Sequence, residues 1–157
     1  MIATAALCVL IPVWGILSGA VVYEHVALVP VWAAAPPASL TMWRGEHRVR
    51  SERFWIVVHP VLVVLLVVAI ATSWSNDAAR GWLWFAFGTY AVVLVVTRLW
   101  FVPELLRLTL GPDGSIAPDE WRRRARRWEV ASLVRGVVVL AVAAPLLAAL
   151  LSVGGAT

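Results

Sequence analysis

The sequence predicts an all-α membrane protein, a bundle of four transmembrane helices in up-down-up-down order with both termini on the non-cytoplasmic side. Of its 157 residues, 62% are hydrophobic and only 14% are charged, and the mean hydropathy is +0.87. A soluble domain of this size is not so apolar. Four stretches reach the roughly 20 apolar residues that one helical span requires. The basic residues crowd into two of the three connections, which predicts the orientation.

The four predicted spans lie at about residues 4–33, 54–73, 81–103 and 130–152. The first has no basic residue before it and stays apolar far beyond the core of about 7 to 15 residues found in a secretory signal, so we expect it to be retained. Two positions are possible for the end of this span. If it ended near Tyr23, residues 26–43 would lie along the membrane interface. Spans and short connections use nearly the whole chain, which predicts one domain, residues 1–157, in the cell membrane.

All 13 basic residues are arginines, and their distribution predicts the orientation. The first and third connections hold most of them, namely Arg44, Arg48, Arg50 and Arg53, then Arg107, Arg122, Arg123, Arg124, Arg126 and Arg127, whereas the second holds Arg80 alone. Arginine-rich connections stay in the cytoplasm. The net charge of +4 therefore indicates contact with anionic lipid headgroups rather than with nucleic acid.

A basic surface helix is predicted at about residues 118–129, leading into the fourth span. Pro118 and the acidic residues after it suit a first helical turn. Asp119 with Arg123, and Glu120 with Arg124, have the i,i+4 spacing of helical ion pairs. We expect this helix to be solvated and to lie against lipid headgroups.

Ionisable residues inside the spans mark the candidate site. Glu24 and His25 lie in the first span, His59 in the second and Arg135 in the fourth. An ionised group in hydrocarbon costs several kcal/mol, so such residues face the bundle interior and mark functional pathways. The predicted orientation brings them to one level in the cytoplasmic half, together with Thr97 and Glu104 of the third span.

Spacing by seven places further residues on the faces that carry these groups. Thr97 and Glu104 share one face of the third helix with Phe101 between them, and Trp128 shares a face of the fourth with Arg135. Arg135 lies about two turns inside its span and needs an acidic partner. A purely structural ion pair with Glu24 or Glu104 is therefore one interpretation, and Glu104 at a helix end that reaches water is another.

The order of these elements resembles the anthrone-oxygenase-like family of small four-helix membrane proteins. The resemblance rests on a Gly-rich first span ending in Pro30, a third span closing as Thr97 to Pro103, and a fourth entered through Trp128 and Arg135. It implies a membrane oxidoreductase, oxygenase-like, that acts on a flat lipophilic substrate of aromatic or polyketide type.

The residues alone allow two kinds of chemistry. Glu24 would serve as general base on a phenolic or enolic substrate, with His59 and Arg135 as its catalytic partners and Thr97, Phe101, Glu104 and Trp128 binding the substrate. A substrate carbanion that reacts directly with dioxygen needs no cofactor. Alternatively, Glu24, His25, His59 and Glu104 would ligate a transition metal, since carboxylate and imidazole suit iron, zinc, copper or manganese.

The same residues also fit two functions other than catalysis. A glutamate in the first of four helices is also typical of small proton-coupled transporters of lipophilic compounds. A non-catalytic accessory protein, alone or as a homo-oligomer, would use the same residues as structural ion pairs. A cavity of about 300 Å³ or more beside Glu24 and His59 would favour ligand chemistry.

Overall fold

The computed structural model of the protein describes residues 1–112 and 114–155, and its architecture is all-helical. Four helices are long and apolar enough to cross a membrane, namely α1 (Ile2–Ala34), α2 (Glu52–Thr72), α3 (Asp77–Leu110) and α4 (Pro118–Gly154). A short 3₁₀ helix, Ala38–Trp43, lies between α1 and α2. Neither described range contains a strand. The predictions of an all-α fold and of four apolar helices are confirmed.

The helices pack in a ring in which α1 contacts α2 and α4, and α3 contacts the same two helices. Their facing sides form one apolar cluster, the main core, whose fully buried members include Leu10, Trp14, Leu66, Leu83 and Leu146. Large aliphatic side chains also cover the outer faces of all four helices. A soluble monomer does not expose so much apolar surface, so this exterior is typical of a protein surrounded by lipid.

A second apolar cluster, here the tryptophan cluster, forms at the end of the bundle that carries the arginine-rich connections. It consists of Val29, Trp32, Leu40, Trp43, Phe101, Leu108, Ala125 and Trp128. Trp32 packs edge to face against Trp128 at 5.7 Å between ring centroids. The indole N–H of Trp128 donates to the carbonyl of Phe101 at 3.0 Å. The Trp128 indole therefore satisfies the Phe101 carbonyl while it fills the cluster, and its contacts tie the ends of α1 and α3 to the start of α4.

Helices α1 and α3 each contain one turn of π-helix, Glu24–Leu28 and Thr97–Phe101. A proline follows each turn at the same distance, Pro30 in α1 and Pro103 in α3. Proline has no N–H to donate to the carbonyl four residues earlier, and its ring collides with that carbonyl. The wider π turn accommodates both effects without ending the helix. Single π turns occur frequently at functional sites.

The α-helical parts of the long helices are bounded by these interruptions. They are Ile2–Tyr23 and Val29–Ala34 in α1, Asp77–Val96 and Val102–Leu110 in α3, and Pro118–Ala141 and Ala143–Gly154 in α4. The interruption in α4 falls at Val142, beside Ala141, whose carbonyl Pro145 leaves without a helical donor. Glu24 lies well inside the continuous helix α1, so the chain does not leave the helix at Tyr23.

The basic run is continuous with the apolar part of α4 in one helix, Pro118–Ala141. Its buried residues Ala125 and Trp128 belong to the tryptophan cluster. The acidic residues of the first turn pair at i,i+3, with Arg122 on Asp119 and Arg123 on Glu120. The predicted i,i+4 pairs are therefore wrong, because Arg124 binds Glu104 of α3 instead.

Gly136 of α4 allows α1 to approach closely, and this generates a prediction about stability. A Cβ atom at Gly136 would lie 2.9 Å from Cγ1 of Val21 and 3.9 Å from Cε1 of His25. Val21 is β-branched and cannot turn away easily. We expect Gly136→Leu to lower the free energy of unfolding by about 1–3 kcal/mol, which corresponds to a drop of several degrees in the thermal midpoint.

Gly88 of α3 provides the matched control, since a Cβ atom there meets nothing within 4 Å. Gly88→Leu is expected to leave the thermal midpoint in detergent unchanged or slightly raised, because leucine is the better helix former. Equal midpoints for the two variants would contradict the close contact between α1 and α4.

Candidate functional site

A cavity of about 640 Å³ lies at the junction of the main core and the tryptophan cluster. Leu17, Tyr90 and Val139 line it from the main core, and Trp43, Phe101 and Trp128 line it from the tryptophan cluster. Its volume exceeds the value of about 300 Å³ that favours a ligand site over a filled bundle. All four long helices contribute to its wall.

Most of the residues predicted for the site lie on this wall. The lining includes Glu24, His59, Thr97, Phe101, Trp128 and Arg135. These residues come from α1, α2, α3 and α4, so the structure brings together groups that are far apart in sequence. Two predicted residues, His25 and Glu104, are not part of the lining and have other partners.

Glu24 is the first residue of the π turn in α1 and is only 8% exposed. Within the described ranges, its carboxylate has no hydrogen-bond or salt-bridge partner. Burial of an ionised carboxylate without a partner is costly. A buried acid that is left without a partner beside a cavity is therefore a candidate for contact with a ligand rather than for structural support.

Arg135 points at the same cavity but is held by neutral groups. Its guanidinium donates to Oγ1 of Thr97 at 3.3 Å and to Oγ of Ser132 at 2.9 Å, and its Cζ lies 4.2 Å from the centroid of the Phe101 ring. No salt bridge joins it to Glu24 or Glu104 in the part of the chain that the structure describes. The interpretation as a direct structural ion pair is therefore wrong, although Glu24 is near enough to attract the guanidinium electrostatically.

His59 and Tyr90 form a second polar pair in the wall, with 2.6 Å between Nδ1 of His59 and the phenolic oxygen. Trp55 stacks on the imidazole at 5.6 Å between centroids. Tyr90 packs edge to face on Trp14, whose indole N–H donates to the carbonyl of Val139 at 3.0 Å. The pair is thus fixed by rigid aromatic neighbours, and it combines a group that accepts protons with one that donates them.

Tyr90 was not among the residues predicted for the site. It lies seven residues before Thr97, so the two share a face of α3, and a search for polar residues at that spacing finds it. Residues of the first connection were also missed, since the arginines there were interpreted only as orientation signals. Arg48 and Glu52 line the cavity and form a salt bridge of 2.8 Å.

His25 turns toward α4 rather than toward the cavity. Its Nδ1–H donates to the carbonyl of Val21 at 3.0 Å, and its ring lies against Gly136. Its Nε2 is buried and has no partner within residues 1–112 and 114–155. Adjacent residues on a helix point about 100° apart, which explains why Glu24 faces the cavity and His25 does not.

Glu104 joins α3 to α4 outside the cavity. Both of its carboxylate oxygens accept from Arg124, from Nε at 2.6 Å and from Nη2 at 2.6 Å. The Glu104 side chain is 12% exposed and that of Arg124 is 28% exposed. A bidentate pair of this kind is directional and strong, so Glu104 has a structural role at the tryptophan cluster.

The four residues considered as metal ligands do not converge. No group of three or more His, Cys, Asp or Glu side chains that would hold a metal ion occurs among the described residues. His25 faces α4, His59 bonds Tyr90 and Glu104 binds Arg124. Only Glu24 and His59 line the same cavity, which is fewer than the ligands of a typical protein metal site.

Comparison of the chain with protein-family models, curated proteins and solved structures found no significant match. The resemblance to the anthrone-oxygenase-like family stays a prediction. The site is therefore interpreted from its own geometry.

The Glu104–Arg124 pair generates a prediction about coupling between α3 and α4. In a double-mutant cycle, Glu104→Gln and Arg124→Gln should show a coupling energy of about 1 kcal/mol, since the pair is bidentate and partly shielded from water. The cycle for Glu120 and Arg123, an exposed pair in the same helix, should give about 0.3 kcal/mol. Unfolding in mixed detergent micelles measures both, and equal values would contradict the structural role of Glu104.

Proposed function

We propose that this protein is a multi-pass membrane enzyme, an oxygenase-like oxidoreductase, that takes a lipophilic aromatic or polyketide-like substrate into the cavity and uses Glu24 as its base. One observation carries the proposal: the Glu24 carboxylate, buried and without a hydrogen-bond partner among residues 1–112 and 114–155, lines a cavity of about 640 Å³ beside Arg135. The arginine-rich end of the bundle lies at the cytoplasmic leaflet, which places the site in the inner half of the membrane.

The size and lining of the cavity suit a flat hydrophobic molecule. Small-molecule sites typically occupy about 300–1,000 Å³ and combine an apolar wall with a few oriented polar groups. Leu17, Val21 and Phe101 supply apolar surface here. Glu24 accepts hydrogen bonds and Arg135 donates them, so a substrate that presents a hydroxyl next to a carbonyl satisfies both. Phenols and enols of aromatic ketones have this pattern.

Proton removal is the first chemical step. Glu24 takes a proton from the acidic carbon of the substrate, and the remaining electron pair delocalises onto the substrate oxygen. Arg135, positioned by Thr97 and Ser132, stabilises this oxyanion because its donors are already oriented toward the cavity. The His59–Tyr90 pair supplies a second donor and exchanges protons with the substrate oxygen.

Dioxygen is the oxidant in the second step. The carbanion forms a carbon–oxygen bond with dioxygen and the resulting peroxide takes up a proton. Removal of the second proton from the same carbon then breaks the oxygen–oxygen bond, which leaves a carbonyl group and releases water. One methylene and one dioxygen thus give one carbonyl and one water, and the substrate carbon loses four electrons to dioxygen.

A small proton-coupled transporter is the second candidate, and one observation favours it. The buried carboxylate of Glu24 lies in a π turn of α1, and a second π turn, in α3, also lines the cavity. Two helices with such turns near a membrane-embedded acid also suit a carrier that alternates between states. The alternative of a non-catalytic accessory protein has less support, because Glu24 and Arg135 do not form the direct ion pair that it predicts.

The enzyme proposal predicts that Glu24→Gln lowers turnover of an anthrone by about 100-fold or more, since general-base catalysis contributes about 10²–10⁴. Binding of the substrate should change only a few-fold, because glutamine keeps the shape and one acceptor of glutamate. Formation of the quinone, followed by absorbance together with dioxygen uptake in proteoliposomes, measures turnover. Glu104→Gln is the matched control and should retain activity.

A flux assay separates the two candidates. If the enzyme proposal holds, proteoliposomes with a pH gradient show no Glu24-dependent movement of a lipophilic cation. Proton-coupled flux that Glu24→Gln abolishes, without chemical change of the compound, would favour the transporter. Full anthrone turnover by both Glu24→Gln and His59→Ala would contradict the catalytic mechanism.

A further inference from the structure

We infer that the cavity is loaded sideways from the inner leaflet, through a cleft between α2 and the second half of α3, and that it selects membrane-dissolved amphiphiles with one acidic oxygen group. This inference rests on the proposed function only for the use of the cavity as the binding site, and not for its chemistry. Three properties of the cleft support it: its exposed lining, the different packing partners of α3 before and after its π turn, and the two polar groups beside it, Arg98 and Trp43.

Several residues belong both to the cavity wall and to the outer surface of the protein. Ile56 of α2 is 69% exposed and Val102 of α3 is 38% exposed, yet both line the cavity. Pro60 on α2 and Leu106 on α3 share this double position. A side chain contacts a cavity and the exterior at once only where the cavity opens, so the opening lies between these two helices.

The packing of α3 explains why a gap exists there. Its first half, before the π turn, packs on α2 and α4. Beyond the π turn, Val102–Leu110 packs chiefly on the 3₁₀ helix Ala38–Trp43 and on the start of α4. The main packing of α3 on α2 therefore lies before the π turn, and the cavity lies beside the part of α3 that follows it.

The rim of the cleft is aliphatic where it meets lipid. Ile56, Val102 and Leu106 present hydrocarbon side chains outward. Exposure of such side chains to acyl chains has no cost in free energy, whereas their exposure to water is unfavourable. A hydrophobic molecule already dissolved in the membrane therefore passes this rim without leaving an apolar environment. A water-soluble molecule has no comparable advantage.

Two polar groups give the cleft its selectivity. Arg98 lines the cavity, is exposed at this side of α3, and has no salt bridge within residues 1–112 and 114–155. Trp43 also lines the cavity and is only 7% exposed, and its indole N–H has no acceptor among the described residues. A guanidinium cation and a free indole N–H are both hydrogen-bond donors, so a ligand with an oxygen acceptor satisfies them. The lining holds two further arginines. Arg48 is neutralised by Glu52, and Arg135 donates to Thr97 and Ser132 deeper in the cavity.

A photolabelling experiment tests the route and the selectivity together. The full-length chain is reconstituted in phosphatidylcholine vesicles with a long-chain fatty acid that carries a diazirine, and the labelled peptides are mapped by mass spectrometry. We expect label on α1 around Leu17, a residue that is buried from lipid but faces the cavity. Unlabelled fatty acid should compete, whereas its methyl ester should compete about tenfold less.

Two pairs of variants sharpen the test. Val102→Trp fills the rim and should slow labelling at Leu17 at least about fivefold, whereas Val64→Trp, at an exposed position outside the cavity lining, should not. Arg98→Gln should weaken competition by the free acid about tenfold, the size expected for loss of one charge-assisted hydrogen bond. Arg53→Gln, an exposed arginine outside the lining, is its control. Thermal midpoints confirm that each variant is folded.

Specific outcomes overturn the inference. Label confined to outward residues such as Val64, or equal competition by acid and ester, would contradict the acid-selective cavity. Equally strong labelling at Leu17 by a phosphatidylcholine photoprobe would show that bulk lipid occupies it instead. Labelling that persists in Glu24→Gln while turnover is lost supports the route independently of the chemistry. Turnover without labelling at Leu17 would leave the proposed function standing and remove this inference.

Discussion

The structure depends on one constraint, the high cost of an unsatisfied polar group in hydrocarbon. Water is not available in the bilayer core to satisfy a charge or a free N–H, so such groups face the interior, where any group without a partner carries a cost in free energy. Arg135 avoids this cost through Thr97, Ser132 and the face of Phe101, and His59 avoids it through Tyr90. Thr97, Phe101 and Tyr90 all lie on α3, whereas Arg135 lies on α4 and His59 on α2, so these contacts fix which face of α3 meets its two neighbours.

The prolines convert this packing into a cavity. Pro30 and Pro103 each follow a π turn that interrupts the regular α-helix. The two turns lie where the main core ends and the tryptophan cluster begins. The main packing of α3 on α2 lies before its π turn, and the cavity at this level is bounded by Glu24 at one turn and Thr97 at the other. The cavity and two of its polar groups, Glu24 and Thr97, therefore depend on the same two segments of the chain, the π turns of α1 and α3.

Sequence reasoning predicted the apolar spans, and most of the residues that it proposed for the site lie on the cavity wall. Runs of apolar residues define the helices, and helical periodicity places Thr97 on one face with Phe101, four residues later, and Trp128 on one face with Arg135, seven residues later. It did not predict the partners. Glu104 and Arg124 are 20 residues apart and meet only because α3 and α4 are tied together by Phe101 and Trp128. Nor does any local pattern show that Thr97 and Ser132, rather than a carboxylate, hold Arg135.

That last difference has a chemical consequence. A direct salt bridge between Arg135 and Glu24 would satisfy both charges, and the side chains would close the space between them. In the observed arrangement Arg135 is held by hydroxyl groups, which are weaker partners than a carboxylate, so its attraction for negative charge is only partly used. Among the described residues, no donor binds the carboxylate of Glu24. The site is consequently incomplete without a molecule that brings both a donor and an acceptor, and an incomplete site is suited to substrate binding because it favours the bound state over a collapsed empty one.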